Sequence, residues 1–274
     1  MIVVSAASGA LGRLVVERLL ARIPATDLTV AVRSPDRVDD LAARGVRVRR
    51  GDYDEPDTLN AAFKGADRLL LVSSPELDPT RRTGHHRAAV DAARDAGVGA
   101  VVYTSFLDAG TRADGLTAAH HVTEQALRDS GLPHTLLRHP FYSEAFLNPG
   151  LHVAVSDGEL SDGTGGHGIN TASRADLAEA AARVLTEDHH LGRAYDFTGV
   201  RWTFPELAGI LSRMHGRPIR HRERDPLPGV SGWLERQVRS GALERQTDDL
   251  TRVLGRPPTS LRQAVGELFP AAGT

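Results

Sequence analysis

Chemistry in this chain of 274 residues rests on a short roster: four tyrosines, twelve histidines and a single lysine, Lys64, among 33 basic residues. There is no cysteine, so disulfides, thiolate nucleophiles and thiolate metal sites are excluded. A tyrosine activated by a lysine one helical turn later would deliver a proton to a carbonyl. The residues four places after the tyrosines are Asp57, Leu107, Phe146 and Gly199, so that dyad is absent. Alcohol–ketone exchange by that route is not expected. Histidines occur in three adjacent pairs, His85-His86, His120-His121 and His189-His190. Neighbours on a helix point about 100° apart and chelate poorly together. His86 falls on an apolar helical face and reads as a packed core residue. His189 and His190 lie in a polar loop and read as solvated. No metal site is expected.

The other chemical signal is a turn. The chain opens with "MIVVSAASGALGRL", a short apolar strand running through Ser5-Ala6-Ala7-Ser8-Gly9-Ala10-Leu11-Gly12 into a helical pattern. A pyrophosphate needs a bare backbone, a helix N-terminus aimed at it, and a helix packed tightly on its strand. Gly9 suits the close approach, Gly12 the packing, and Ser8 offers a hydroxyl. Ala6 stands where the first glycine is usual, and an alanine there is expected to keep a negative φ. The second strand ends in "TVAVRSPDR". An acidic residue there would bond a ribose hydroxyl, whereas Arg33, followed by Ser34 and Arg37, suits a 2′-phosphate. The pair of signals points to NADPH, with NADH less favoured.

Apolar β-branched runs recur at Ile2–Val4, Leu28–Val32, Val46–Val48, Leu69–Val72, Val98–Tyr103 and Thr135–Leu137. Helical spacing fills the gaps, as in Leu11, Leu14, Val15 and Leu19, and Gly45, Gly65, Gly97 and Gly131 punctuate the ends. Such alternation predicts an α/β fold, a doubly wound parallel sheet of the Rossmann type. The rhythm changes after about residue 140, so a dinucleotide-binding domain over 1–140 is expected, with 170–200 returning to it and a smaller second domain over the rest of 141–274. Within the latter, "NPGLHVAVSDGELSDGTGGHG" reads as an irregular connection or small hairpin. Ser173 is expected to cap one helix and Thr203, with Glu206, another. Two or three amphipathic helices follow Pro226.

Seven stretches then occur in order: "SAASGALGRLVVERLL", "AVRSPDR", "RGDYDEPDTLNAAFKGADRLLLVSS", "HHRAAVDAARDAGV", "VVYTSFLDA", "HHVTEQALRDSGLPHTLLRHPFYSEAF" and "TRVLGRPPTSLRQAV". Together they resemble the NmrA-like atypical short-chain dehydrogenases, in particular the NADPH:quinone oxidoreductase type 2 branch, over nearly the whole chain. The resemblance implies a Rossmann domain, a small helical domain and a substrate cleft. It places Gly9, Leu11 and Gly12 at the phosphates, Arg33 at the 2′-phosphate, and Asp52 and Tyr53 beside the adenine. Ser73 and Ser74 would pass the ribose. Tyr103, Thr104 and Ser105 would end a strand beside the nicotinamide, and Arg138 to Tyr142 would close that end. His121 and Glu124 match a family H-x-x-T-E helix. His139 and Pro140 depart from the family's usual asparagine and glycine.

Quinone reduction needs no Tyr-Lys dyad, because the oxyanion formed is an easily stabilised phenolate. The expectation is an NADPH-dependent oxidoreductase acting on a quinone or similar conjugated acceptor, with His121, Tyr142 and Ser105 as hydrogen-bond or proton donors. Asp108 and Asp114 flank a loop that could line the cleft. Two alternatives keep the fold: a tailoring reductase in a biosynthetic pathway, and a non-catalytic NAD(P)-binding redox sensor. With 25% charged residues and a net charge of -2, neither nucleic acid nor membrane is an expected partner. No signal sequence or spanning segment is apparent, so a cytoplasmic protein, with a homodimer allowed, is expected.

Overall fold

The structure, a computed structural model, describes residues 1–113 and 115–269. Asp114, one of the two loop aspartates, lies outside the described residues. Strands and helices alternate through the first half: β1 (Ile2–Ser5), α1 (Ala10–Leu20), β2 (Leu28–Val32), α2 (Asp39–Ala43), β3 (Arg47–Arg50), α3 (Asp57–Phe63), β4 (Arg68–Leu71), α4 (Pro79–Asp95), β5 (Ala100–Phe106), α5 (Ala118–Asp129) and β6 (His134–His139). The second half holds β7 (Phe141–Tyr142), α6 (Leu151–Asp157), β8 (Glu159–Asp162), β9 (Ile169–Ala172), α7 (Arg174–Thr186), β10 (Ala194–Asp196), β11 (Val200–Trp202), α8 (Phe204–His215), β12 (Arg220–Glu223), α9 (Gly229–Arg239), α10 (Asp249–Leu254) and α11 (Leu261–Leu268). The chain divides into two compact units, 1–139 with 177–197, and 140–176 with 198–274.

In the first unit, seven parallel strands run in the order β10-β6-β5-β4-β1-β2-β3. The order reverses between β1 and β4. In such sheets the crevice outside the carboxyl ends of the strands, at that reversal, is the ligand site. β1 and β2 are buried along their whole length, as a sheet covered on both faces requires. Helix α1 buries Leu11, Val15, Val16 and Leu19. Helix α4 starts at Asp78, whose carboxylate accepts the Arg81 N–H at 2.7 Å. The start of α7 is capped as expected, the Ser173 hydroxyl accepting the Asp176 N–H at 3.1 Å.

The second unit buries Leu151, Leu160, Ile169, Trp202, Leu207, Leu211 and Val265 in one cluster. Thr203 and Glu206 form a capping box at α8, and Ser260 and Gln263 another at α11. Three helices follow Pro226 among the described residues. The glycine-rich stretch is a correction. It holds a helix, α6, ended by Gly158 at φ +70, and a strand, β8, which pairs in parallel with β12 rather than closing a hairpin. The partner "RHRE" carries no apolar signal, so nothing local marked the pairing.

Candidate cofactor and active site

The turn after β1 exposes backbone where a ligand would need it. Ser8, Gly9 and Ala10 are exposed, between buried Ala7 and Leu11. Gly9 is the N-cap of α1; it offers no side-chain cap, and the first turn of the helix contains no acid. The Gly9 N–H is spent on the Ala6 carbonyl at 3.0 Å, and the Arg13 N–H on the Gly9 carbonyl at 2.9 Å. The amides of Ala10, Leu11 and Gly12 are therefore the ones an α-helix leaves without an intrahelical partner. A Cβ on Gly12 would stand 2.6 Å from the Ala6 carbonyl oxygen, so only glycine lets α1 lie this close to the turn. Ala6 itself has φ +50, contrary to the negative φ expected. The close approach of Gly12 holds that backbone, and an L-residue in the left-handed region costs about 1–2 kcal/mol. The missing first glycine has changed the residue while the conformation it normally serves is kept.

Arg33 follows β2 directly and is exposed, as is Arg37. Neither guanidinium is in an ion pair or hydrogen bond among the described residues, whereas the nearby Arg13 is held by Asp40 and Glu17. Two uncommitted cations beside an acid-free helix start are an anion-binding arrangement.

The next predicted residues are committed to the protein. The Tyr53 phenol donates to the Val72 carbonyl at 2.6 Å and accepts from the Ser5 hydroxyl at 2.7 Å, while Ser5 Oγ accepts the Val72 N–H at 2.8 Å. Ser5 and Tyr53 thereby stitch β1 to the end of β4, and burial pushes the Tyr53 phenol up. Asp52 accepts the Asp54 N–H at 3.1 Å and closes its own turn. The Ser73 N–H donates to Thr104 Oγ1 at 2.9 Å, tying the ends of β4 and β5 together. Ser74 Oγ lies 2.9 Å from His85 Nδ1, and His85 Nε2 lies 3.0 Å from Asp54. The chain of groups has the spacing of a hydrolytic triad, but Ser74 is 2% exposed. It clamps the loop between β4 and α4.

Strand β5 explains two further departures. Its side chains alternate, so Tyr103 and Ser105 share one face and Thr104 takes the other. Tyr103 is fully buried within the core cluster instead of flanking the strand end. Around it the proton pattern is determined by the donors. Arg82 can only donate, so at 3.0 Å His120 Nε2 accepts; its Nδ1 then donates to the Tyr103 hydroxyl at 2.8 Å. The Ser74 N–H donates to His86 Nε2 at 2.9 Å, leaving His86 Nδ1 to donate to Thr123 Oγ1 at 2.8 Å. Thr123 passes its own proton to the Ala119 carbonyl at 2.6 Å. Burial, reinforced by Arg82, pushes His86 down to about 3 and His120 well below the usual imidazole range. Burial also pushes the Tyr103 phenol up. His86 is a core residue, as its helical position implies, but a hydrogen-bonded one.

Ser105 donates to buried Glu124 at 2.7 Å. Arg138 grips the same carboxylate through Nε at 2.8 Å and Nη2 at 2.7 Å, and reaches Asp196 at 3.3 Å. The polar ends of Ser105 and Arg138 thus turn to a buried acid and not, as expected, outward to a ligand: Arg138 neutralises Glu124 and Ser105 adds a hydrogen bond to it, and the acid is 0% exposed. The Glu124 of the H-x-x-T-E pattern is the centre of that group. His121 Nδ1 meets the Ala109 carbonyl at 2.8 Å, and the ring lines a groove running between α4 and α5 with Arg87, Val90, Gln125 and Asp129. Its neighbour His120 takes the interior position instead. In the second unit, Tyr142 lies on β7 with the Arg174 guanidinium 4.6 Å from its ring centre. Asp108 holds φ +64, and its carbonyl accepts the Thr111 and Arg112 amides.

The model of a family described as NAD(P)H-binding matches residues 6–188. Quinone oxidoreductase 2 of Escherichia coli is 35% identical over 98% of this chain and 99% of its own; its crystal structure with NADPH superposes with a TM-score of 0.89. A triphenylmethane reductase of Citrobacter sp., solved with NADP(H), is 34% identical, with a TM-score of 0.94 over 98% of this chain and 100% of that one. An NmrA-like family domain-containing oxidoreductase of Aspergillus flavus is 30% identical over 97% of this chain and 94% of its own.

Proposed function

The chain belongs to the NAD(P)H-binding, NmrA-like oxidoreductase family, and from that premise we propose that it is an NADPH-dependent reductase of quinones or similar conjugated acceptors. The observation that carries this reading is the first turn together with Arg33. Bare Gly9 and the amides of Ala10, Leu11 and Gly12 suit a pyrophosphate, with the Ser8 hydroxyl beside them. Ala7 is buried and supports the turn from below. Arg33, without an ion-pair partner among the described residues, suits with Arg37 and Ser34 the 2′-phosphate that distinguishes NADPH from NADH. Ser73 and Thr104 border the crevice where β4 and β5 end. When bound, the dinucleotide supplies a hydride.

The chain's own part is positioning. Ser5, Tyr53 and Ser74 hold the strand ends rigid by hydrogen bonds that need no ligand, and such preorganised walls favour hydride acceptors that require little acid–base help. Lys64, the only lysine, sits at the end of α3. Tyr103 is locked in the core. Strong acid–base catalysis from a Tyr-Lys pair is thus absent, and acceptors whose reduced form is already a stabilised anion fit best. His121 and Tyr142 remain the proposed donors for the accompanying proton. E. coli quinone oxidoreductase 2 and the triphenylmethane reductase act, by name, on acceptors of this electron-poor, conjugated kind.

A panel of acceptors tests the proposal. NADPH consumption is measured with 1,4-benzoquinone, a triphenylmethane dye and a simple unconjugated ketone. The expected result is turnover with a conjugated acceptor and none with the ketone. Ketone reduction at a comparable rate would overturn it, and binding of NADPH without any turnover would favour the redox sensor. No helix among the described residues is long and apolar enough to cross a membrane.

A further inference from the structure

We propose that Glu187, His189 and His190 form a binding site for a single transition-metal dication, Zn²⁺ in the first instance. The site lies where the chain leaves α7 to enter β10, at the amino ends of the strands and thus at the opposite end of the sheet from the first turn. His190 is 4% exposed, although its loop composition reads as solvated. His189 and His190 occupy a 3₁₀ turn, Asp188–His190, which brings their ring centres within 4.0 Å. The adjacent pair, unpromising on an α-helix, is thereby gathered on one side.

Glu187 Oε2 is 3.2 Å from His190 Nε2 and 3.8 Å from His189 Nε2, and one ligand atom from each of the three residues lies within 4.8 Å of the others. Zinc bonds of about 2.0–2.1 Å in tetrahedral geometry require ligand–ligand edges of roughly 3.3–3.4 Å. The distances present bracket that value, so small side-chain rotations complete a His₂-carboxylate set, with the fourth position on the solvent side of exposed His189. A metal-bound histidine needs its other nitrogen anchored. His190 Nδ1 is 2.7 Å from the Tyr195 hydroxyl, which aims Nε2 at Glu187. Two cations border the loop. Arg68 is paired with Asp188, and Arg193 Nε donates to the His189 carbonyl at 3.0 Å. Arg68 is thus already offset by Asp188, and the Glu187 carboxylate faces the two histidines. No metal chemistry is implied for the reductase; the ion would clip the end of α7 to β10.

The test is calorimetric titration of the untagged full-length protein with ZnCl₂, using wild type, Glu187→Gln, His189→Ala and Tyr195→Phe. His189 is exposed, so its removal leaves the metal-free fold intact, checked by the unfolding temperature without zinc. The expected result is one Zn²⁺ per chain in wild type, affinity lowered at least tenfold in Glu187→Gln and His189→Ala, and about tenfold in Tyr195→Phe. Absence of saturable Zn²⁺ binding in wild type overturns the proposal. So does a His189→Ala titration that superimposes on wild type, which would locate the bound ion elsewhere.

Discussion

The two halves of the sheet's carboxyl edge treat polar groups in opposite ways. After β1 and β2, amides and guanidiniums face outward and uncommitted: the α1 N-terminus has no side-chain cap, and Arg33 and Arg37 have no carboxylate among the described residues. Beneath the ends of β5 and β6, the groups with comparable chemistry face inward and are satisfied by one another: Tyr103 with His120, Ser105 and Arg138 with Glu124. The first region is built to meet an anion from outside. The second is built to hold a strand end still. The lesson is that a hydroxyl or imidazole near a strand end is evidence of function only when its hydrogen bonds are unspent.

The contrast can be broken at its strongest point. Arg138→Ala should leave the buried Glu124 carboxylate without its bidentate partner and cost about 3–5 kcal/mol of stability in urea unfolding. A loss under about 1 kcal/mol would mean that the pair is solvated and that Arg138 is available to a ligand after all.

Arg33→Ala should act only on the other half. Losing a charge-assisted bond costs about 1.5–3 kcal/mol, roughly ten- to a hundredfold in NADPH affinity, with NADH affinity and unfolding temperature unchanged. Equal losses for both dinucleotides would remove the 2′-phosphate assignment.

The buried imidazoles sharpen the comparison through pH. His86 and His139 have folded-state values pushed by burial down to about 3, below the 6.5 expected once unfolded. The unfolded chain therefore binds more protons between those limits. Stability is fully present above pH 6.5 and falls as pH drops toward 3, by up to about 1.4 kcal/mol per pH unit for each such histidine. Urea midpoints at pH 7 and pH 5 check the sign; a midpoint that is constant or higher at pH 5 would contradict the neutral, buried assignment.

The smallest effect is at the turn. Ala6→Gly relieves a left-handed alanine worth about 1–2 kcal/mol but adds unfolded-state freedom worth about 0.4–1 kcal/mol. A net gain of about half to one kcal/mol is expected, with NADPH affinity retained. A loss of stability would show that the methyl contributes packing that outweighs the strain.

What the sequence revealed follows the same division. Short apolar runs mark β1, β2, β4, β5 and β6 because buried parallel strands must be apolar, whereas β3, RVRR at the sheet edge, is only partly buried; the glycine turn is readable because backbone, not side chains, does its work. Which of the two neighbouring histidines of α5 turns inward is not legible: His120 faces Tyr103 and His121 the groove, with no local cue to choose. That Tyr103 and Ser105 face inward is not legible either, because ending a strand says nothing about which face a residue takes until the neighbouring helices are in place. The pairing of Glu124 with Arg138 is legible in principle, since an acid within a helical apolar face, followed by an arginine on the next strand, signals a buried pair. The β8–β12 pairing spans about sixty residues with polar sequence on both strands, beyond any periodicity argument.

One titration tests the central claim most directly. NADPH and NADH are each added to the protein, and 1,4-benzoquinone is then added to the same sample while reduced-nicotinamide absorbance is followed. The account predicts tighter binding of NADPH than of NADH and a loss of absorbance that depends on both protein and quinone. No preference between the dinucleotides, or no consumption with any conjugated acceptor, would contradict it.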